Sequence, residues 1–272
     1  MTGATIWGLV WYPYRVLESM GFSGAQATTL TYAVALVLGL LLFWPKLRGA
    51  RVDVWLVAIA VSSAGCNLGY VLAMLQGEVM RVLLLFYLAP LWTVLLARLL
   101  LGERLNALGA GIVGLSLAGA ITMLWHPELG APWPRSGAEW TGMAAGFLFA
   151  LSNVLIRRAS HYAIELKSVA VFAGVVVIGL AYGFVAEPAA PVGIDADGWL
   201  LVVLIGLVLL AVNLVVQYGL TRVVASRAVV IFLFELVVAA AASWALAGEV
   251  MTLQEWLGGL LIVAASLFSA RL

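Results

Sequence analysis

Between Arg81 and Arg98 the chain reads VLLLFYLAPLWTVLLA, with no charged residue and a proline near its centre. At about 1.5 Å per residue, a helix from Val79 to Leu100 reaches across the roughly 30 Å of hydrocarbon in a bilayer. Charge, Pro and Gly divide the rest of the chain into similar apolar runs. The first half has Ala4 to Met20, Gly24 to Trp44, Val54 to Leu75, Val79 to Leu100 and Ala107 to Leu124; the second has Trp140 to Arg157, Ser168 to Ala186, Gly198 to Leu220, Val224 to Ala247 and Leu253 to Ala270. Each has about the 17 to 25 residues that a spanning helix needs. A chain that is 65% apolar and 10% charged lies far from soluble domains, at ~45–50% and ~25%. The expectation is an all-α polytopic membrane protein of ten transmembrane helices, with the lipid bilayer as its first partner.

The fourth run has an echo. At an offset of 146, Arg81 falls on Arg227, Gly102-Glu103 on Gly248-Glu249 and Asn67-Leu68 on Asn213-Leu214. Polar residues are scarce here, so coincidences among them argue for an internal repeat. At an offset of 138, Gly8 falls on Gly146 and Trp11 on Phe149. The segment HPELGAPWPRSGAE, His126 to Glu139, has three prolines and no apolar periodicity, and reads as a surface linker. The domains are then a first five-helix repeat over 1–125, a linker over 126–139 and a second five-helix repeat over 140–272. Because five is odd, the second repeat enters the membrane from the opposite side. This is the inverted-repeat plan of many secondary transporters.

Lys and Arg divide unequally over this layout. One side holds Arg15, Arg81 and Arg135, the other Lys46, Arg48, Arg51, Arg98, Arg104, Arg157, Arg158, Lys167, Arg222, Arg227 and Arg271. Three against eleven puts both termini in the cytoplasm of a multi-pass inner-membrane protein. The N-terminus has no basic region ahead of its apolar run, so that run is expected to be the first span instead of a cleaved signal.

WG in the first run, YLAPLW in the fourth followed by LLLGERL, and LAGEV after the ninth resemble the EamA branch of the drug/metabolite transporter superfamily. Length, orientation and aromatic content are most similar to the YddG-type exporters of aromatic amino acids. The resemblance implies a central cavity between the halves, walled mainly by spans one, three, four, six, eight and nine, with spans five and ten peripheral.

Several classes fall away. A net charge of +1 with scattered basic residues gives no footprint for nucleic acid. Cys66 is the single cysteine, and His126 and His161 both fall in loops, which leaves no metal site and counts against a membrane-embedded enzyme. Gly109-Ala-Gly111-Ile-Val-Gly114 matches the dinucleotide fingerprint but lies inside an apolar helix, and neither Lys46 nor Lys167 follows a Gly-rich loop. With no cofactor and no ATP-binding motif, transport is passive or gradient-driven.

Glu235 near the middle of the ninth run is the sharpest signal, since an ionised carboxylate there costs about 2.5–3.5 kcal/mol even on lenient insertion scales. It receives a substrate ammonium or a proton, or it is a neutral or paired residue pinning two helices. Pro90 removes the amide that would bond the carbonyl of Phe86, so a kink is expected there, with Tyr87 on the same face. Pro13 stands in the same relation to Leu9. Trp11 and Phe149 fall at mid-depth, where they line a pocket or pack in the core. Asn67, Asn213 and Gln217 either contact a ligand or tie helices together, and Asn153, Tyr70 and Tyr218 are weaker candidates of the same kind. Gly65/Gly69 and Gly142/Gly146 are close-packing spacings. Gly102-Glu103 reads as a helix stop followed by an acidic helix start.

The resulting expectation is an exporter of small metabolites, aromatic or other hydrophobic amino acids foremost, working by alternating access. A zwitterion would place its ammonium on Glu235, its carboxylate on Asn67, Asn213 or Tyr87, and its side chain against Trp11 and Phe149. A multidrug or lipophilic-cation exporter, or another small-metabolite carrier, uses a lone carboxylate among aromatics equally well.

Overall fold

A computed structural model describes residues 2–50, 52–77, 79–125, 127–129, 133–186, 195–247 and 252–269. Among these are eleven α-helices, a 3-10 turn at Pro127–Leu129 and no strand. In chain order the helices are α1 (Thr2–Ser19), α2 (Gly24–Leu47), α3 (Val54–Gln76), α4 (Val79–Phe86), α5 (Ala89–Leu101), α6 (Ala107–Leu124), α7 (Gly137–Arg158), α8 (Ile164–Ala186), α9 (Ala196–Arg222), α10 (Ala225–Ala247) and α11 (Leu253–Phe268). Lipid offers no hydrogen bonds, so the peptide groups of an apolar chain must pair within helices. Eight stretches among the described residues are long and apolar enough to cross a membrane, with α4 and α5 counted as one from Arg81 to Leu101. α11 is shorter at 16 residues, and α1, with Arg15 and Glu18 in its last turns, is not among the eight. The chain is a multi-pass membrane protein.

Polar caps set the helix starts. Ser23 and Gln26 close a capping box on α2, Thr252 and Glu255 another on α11, and Asp53, Asn106, Ser136 and Asp195 cap α3, α6, α7 and α9. These side chains accept the amide protons that a helix start leaves unpaired. Ser136 changes the reading of the linker: its Oγ accepts the Glu139 N–H at 3.2 Å, so residues 137–139 belong to α7. Pro127–Leu129 forms the 3-10 turn within the rest of the expected linker, while His126 and residues 130–132 lie outside the described residues, as do Arg51, Gly248, Glu249 and Arg271.

The expected kink at Pro90 is a full interruption one turn earlier. α4 ends at Phe86, Tyr87 N–H bonds Leu83 O (2.9 Å), Leu88 N–H bonds Leu85 O (3.3 Å), and α5 restarts with Leu91 N–H on Leu88 O (3.0 Å). Pro90 thereby sits in the first turn of α5, where a helix has no use for its missing N–H. Pro13 and Pro45 lie inside helices that run through unbroken.

Two ends define the bundle. At the linker end, Arg81 at the start of α4 meets Glu139 at the start of α7. At the basic end, Glu103 beyond α5 meets Arg157 at the end of α7. Lys167 of α8 bonds both Ile156 O near the end of α7 and Thr221 near the end of α9, which brings these to the same basic end. α1 starts beside Val216, late in α9, and Phe22 just past its end stacks on Trp199 at the start of α9. α1 therefore runs from the basic end to the linker end and α7 the reverse, as halves of opposite sense require. α7 packs against α3, α4 and α5, α1 packs against α10 and α9, and α6 and α11 pair at the periphery. Close approach explains the glycine spacings: a β-carbon on Gly146 would stand 2.4 Å from Phe86 O, and one on Gly65 2.8 Å from Leu148. Val37, Leu41, Val177, Phe184, Val203 and Leu260 are among the large apolar side chains left exposed on the outer helices, a surface suited to lipid.

Candidate functional site

A cavity of about 790 Å³ lies between the halves. Its walls include Trp7, Trp11 and Tyr14 of α1, Cys66, Asn67 and Tyr70 of α3, Phe86 and Tyr87 at the α4–α5 break, Phe149 and Asn153 of α7, Asn213 and Gln217 of α9, and Phe232 and Glu235 of α10. The expected walls are all represented; α2 adds Thr28 and Tyr32 and α8 adds Val171, while α6 and α11, expected to be peripheral, also reach the cavity through Met123, Leu124 and Glu255. The cavity reaches the exposed Arg15 and Glu18 at the linker end and Gln217 and Leu220 toward the basic end.

At its centre the Tyr87 hydroxyl donates to Glu235 Oε1, joining the helix break of one half to α10 of the other. Tyr87 is the only hydrogen-bond partner of this carboxylate among the described residues, and no Lys or Arg pairs with it. Around it stands an aromatic chain. Tyr70 and Phe86 are 5.0 Å apart, Phe86 and Tyr87 5.3 Å, Phe86 and Phe149 5.6 Å, and Phe149 and Phe232 5.3 Å between ring centroids. Offset and edge-to-face contacts of this kind stabilise packing beyond area burial. Trp11 lines the same cavity, but among the described residues its ring stacks only on Tyr12, at 5.7 Å, so Trp11 and Phe149 share a chamber without stacking on each other. Gly8 and Gly146 hold the two sides together: a β-carbon on Gly8 would stand 2.7 Å from Glu235 O, as one on Gly146 would from Phe86 O at 2.4 Å.

The amides divide into two kinds. Asn67 is engaged at both ends, accepting from the Tyr32 hydroxyl (2.9 Å) and donating to Ser63 O (2.8 Å), and so ties α3 to α2. Asn153 Nδ2, Asn213 Oδ1 and Gln217 Oε1 are buried without partners among the described residues, although each side chain lines the cavity. A buried polar atom left unpaired costs about 1–3 kcal/mol, so these three mark the polar half of the chamber. Pro13 and Pro90 do not line the cavity. Tyr218 is exposed and carries Arg222 over its ring at 3.7 Å, away from the site.

The basic end is closed by charge and hydrogen bonds. Gly102, in the left-handed conformation (φ 70°), stops α5 as expected. Glu103 does not start α6, which Asn106 caps. Instead Glu103 crosses to the other half, where Oε1 accepts from Arg157 Nε (2.5 Å) and Oε2 from Ala225 N–H (3.0 Å) at the start of α10. Arg158 donates to Leu100 O and lies 4.6 Å over Trp55. Tyr162 donates to Asp53, and that hydrogen bond holds the Asp53 carboxyl below its ordinary range while raising the Tyr162 phenol. Lys167, expected in a loop, is inside α8 and fully buried, because the helix begins at Ile164. Its Nζ reaches Thr221 Oγ1 at 2.7 Å and Ile156 O at 3.2 Å.

Glu139, expected in the surface linker, is buried. It accepts Arg81 Nε at 3.0 Å and Nη2 at 2.9 Å, while Nη2 also donates to Trp133 O. Arg227, which falls on Arg81 at the repeat offset, has a buried Nε without a partner among the described residues. His161 is exposed and stacked on Tyr162, and no group of metal-ligating residues occurs among the described residues.

Sequence reasoning missed Phe86 and Phe232, yet its own offset of 146 carries one onto the other. Tyr14 and Tyr32, which bond Thr31 and Asn67, had no such signal.

The sequence profile of the EamA-like transporter family matches residues 1–125 and 137–271. A solved crystal structure overlays with a TM-score of 0.76 at 21% identity, covering 98% of this chain and 97% of that one, a likeness of fold. Among curated proteins none matches.

Proposed function

Because the chain belongs to the EamA-like transporter family, whose members move small molecules across membranes, we propose that it exports amino acids with aromatic or other hydrophobic side chains. The observation that carries this reading is the Tyr87–Glu235 pair in an aromatic chamber between the halves. A substrate ammonium takes the place that no Lys or Arg fills beside Glu235. The side chain lies along Phe86, Phe149 and Trp11, and the carboxylate is received by amides such as Asn153 Nδ2, which is left without an acceptor. The protein works as ten spans in two inverted repeats, with α1 and α11 as the first and last. Its basic end faces the cytoplasm, in keeping with the three-to-eleven division of Lys and Arg. The cavity, extended to the linker end and closed at the basic end, is then the outward-open state of an alternating-access carrier.

The carboxylate among aromatics also favours a second reading, export of lipophilic cations. Counterflow in proteoliposomes decides between them. Unlabelled tryptophan or phenylalanine should drive uptake of the labelled amino acid, while tetraphenylphosphonium should not exchange. Glu235→Gln should lower the exchange at least about tenfold, as loss of a charged hydrogen bond implies. Wild-type exchange by that variant, in folded protein, would remove Glu235 from substrate binding.

A further inference from the structure

The basic end holds a second cavity of about 510 Å³, separate from the central one, lined by Trp55, Leu100, Glu103, Arg157, His161 and Thr221 among others. Glu103 is its pivot. One oxygen of this carboxylate, which belongs to the first half, holds Arg157 of the second half, and the other caps α10 through Ala225 N–H. Those two contacts join the halves where the central cavity is closed. Arg157 is held only by Nε. Its two terminal amino groups, the fork that binds a carboxylate through two parallel hydrogen bonds, have no partner among the described residues. Trp55 offers an aromatic face in the same cavity, part of it covered by Arg158.

We propose that this cavity is an entry site for aromatic carboxylates and that an incoming carboxylate exchanges with Glu103 for Arg157, releasing the contact that keeps the basic end shut. The inference rests on the export reading above for the direction in which ligand arrives. The free fork of Arg157 first takes the ligand carboxylate. Glu103, now competing for a neutralised guanidinium, leaves, and the start of α10 loses its acceptor at Ala225. Because Glu103 spans the two halves, ligand arrival and gate opening become one event, and the gate stays closed when no carboxylate is present.

The test uses the full chain with Ala225→Cys, a position 4% exposed, in a Cys66→Ala background. The protein is held in phosphatidylcholine nanodiscs, which exclude anionic lipid as the ligand. Maleimide labelling of the new cysteine reports opening. Indole-3-propionate should accelerate labelling about tenfold, the effect of removing one charged hydrogen bond, and tryptamine, which lacks the carboxylate, should not. Glu103→Gln should label fast without ligand and show no further response. Arg157→Lys, which keeps the charge but not the fork, should lose the response to indole-3-propionate and covers the case in which Glu103→Gln does not fold. Equal acceleration by tryptamine, or none by indole-3-propionate, overturns the proposal. Tryptophan counterflow measured on the unsubstituted chain in phosphatidylcholine proteoliposomes separates the two readings. Counterflow with carboxylate-independent labelling refutes the entry site alone, whereas carboxylate-dependent labelling without counterflow upholds the entry site and refutes amino-acid export.

Discussion

Replacing Gly146 by alanine tests whether α7 must lie directly on the broken helix for the central site to form. The new methyl carbon would stand 2.4 Å from Phe86 O and 3.0 Å from Phe86 C and Cα. That is about 1 Å inside ordinary van der Waals contact, and the obstacle is backbone, which cannot rotate aside. Overpacking of this kind costs roughly 1–3 kcal/mol, and the better helix propensity of alanine returns at most about 1 kcal/mol. At about 2–4 °C per kcal/mol for a chain near this size, thermal unfolding in detergent should fall by up to about 8 °C, and by roughly 2–12 °C relative to a glycine-to-alanine control that gains the same propensity without the clash. Gly111→Ala in α6 is the control, since nothing lies within 4 Å of its added carbon, and its Tm should hold or rise. Counterflow should fall with Gly146→Ala as well, because the carbonyl it displaces is one residue from Tyr87. If Gly146→Ala melts at or above Gly111→Ala, the close approach of α7 to the break is wrong.

Three further outcomes are open to measurement. Arg81→Met or Glu139→Gln leaves one buried charge of the linker-end pair uncompensated and should cost about 3–5 kcal/mol, while the double variant should recover much of the loss in Tm. Phe149→Ala should lower both Tm and export of aromatic substrates, since its ring touches Phe86 and Phe232. Trp11→Ala, whose ring stacks on Tyr12 alone, should reduce counterflow of aromatic more than small substrates by about 0.5–1.5 kcal/mol in apparent affinity, with Tm nearly unchanged.

What could be read in advance followed from periodicity and scarcity. The run from Ala107 to Leu124 matches α6 residue for residue, and most other boundaries move by a few residues. Glu235 and Tyr87 were conspicuous because a carboxylate and a proline-linked phenol are rare in apolar helices, and the fold joins them across 148 positions of sequence. Boundary errors had consequences where a charge lay at the boundary. Lys167 and Glu139 both read as loop residues because a charge usually ends an apolar run. Each lies inside a helix and is buried against a partner that sequence cannot locate, Thr221 for the one and Arg81 for the other. Glu103 was legible as an acidic residue at a helix terminus, but which terminus depends on how the halves dock. Asn67 looked the same as Asn213 in sequence, and only the nearby Tyr32 hydroxyl distinguishes a satisfied tie from an unpaired amide.

The register of the halves carries one more consequence. At the repeat offsets, Gly146 corresponds to Gly8 and Phe86 to Phe232, so a symmetric pair of halves would put Gly8 against Phe232 as Gly146 lies against Phe86. Gly8 lies instead against Glu235, three residues further along α10. The contact of α1 with α10 is thus displaced by about one turn, some 4–5 Å at 1.5 Å per residue, relative to the contact of α7 with α4. Two equivalent interfaces in different registers are what an alternating-access carrier needs, because exchanging the registers exchanges the open end. In the opposite state Gly8 should face Phe232, and α1 should shift toward the start of α10. Spin labels at the exposed positions Leu9 and Ala241, in a Cys66→Ala background, would then move apart by up to about 4–5 Å when substrate shifts the population. Distance distributions from pulsed electron–electron resonance should show two maxima whose ratio responds to added tryptophan. A single distance, indifferent to substrate, would mean that the register difference is a fixed feature of the fold and that α1 does not slide during transport.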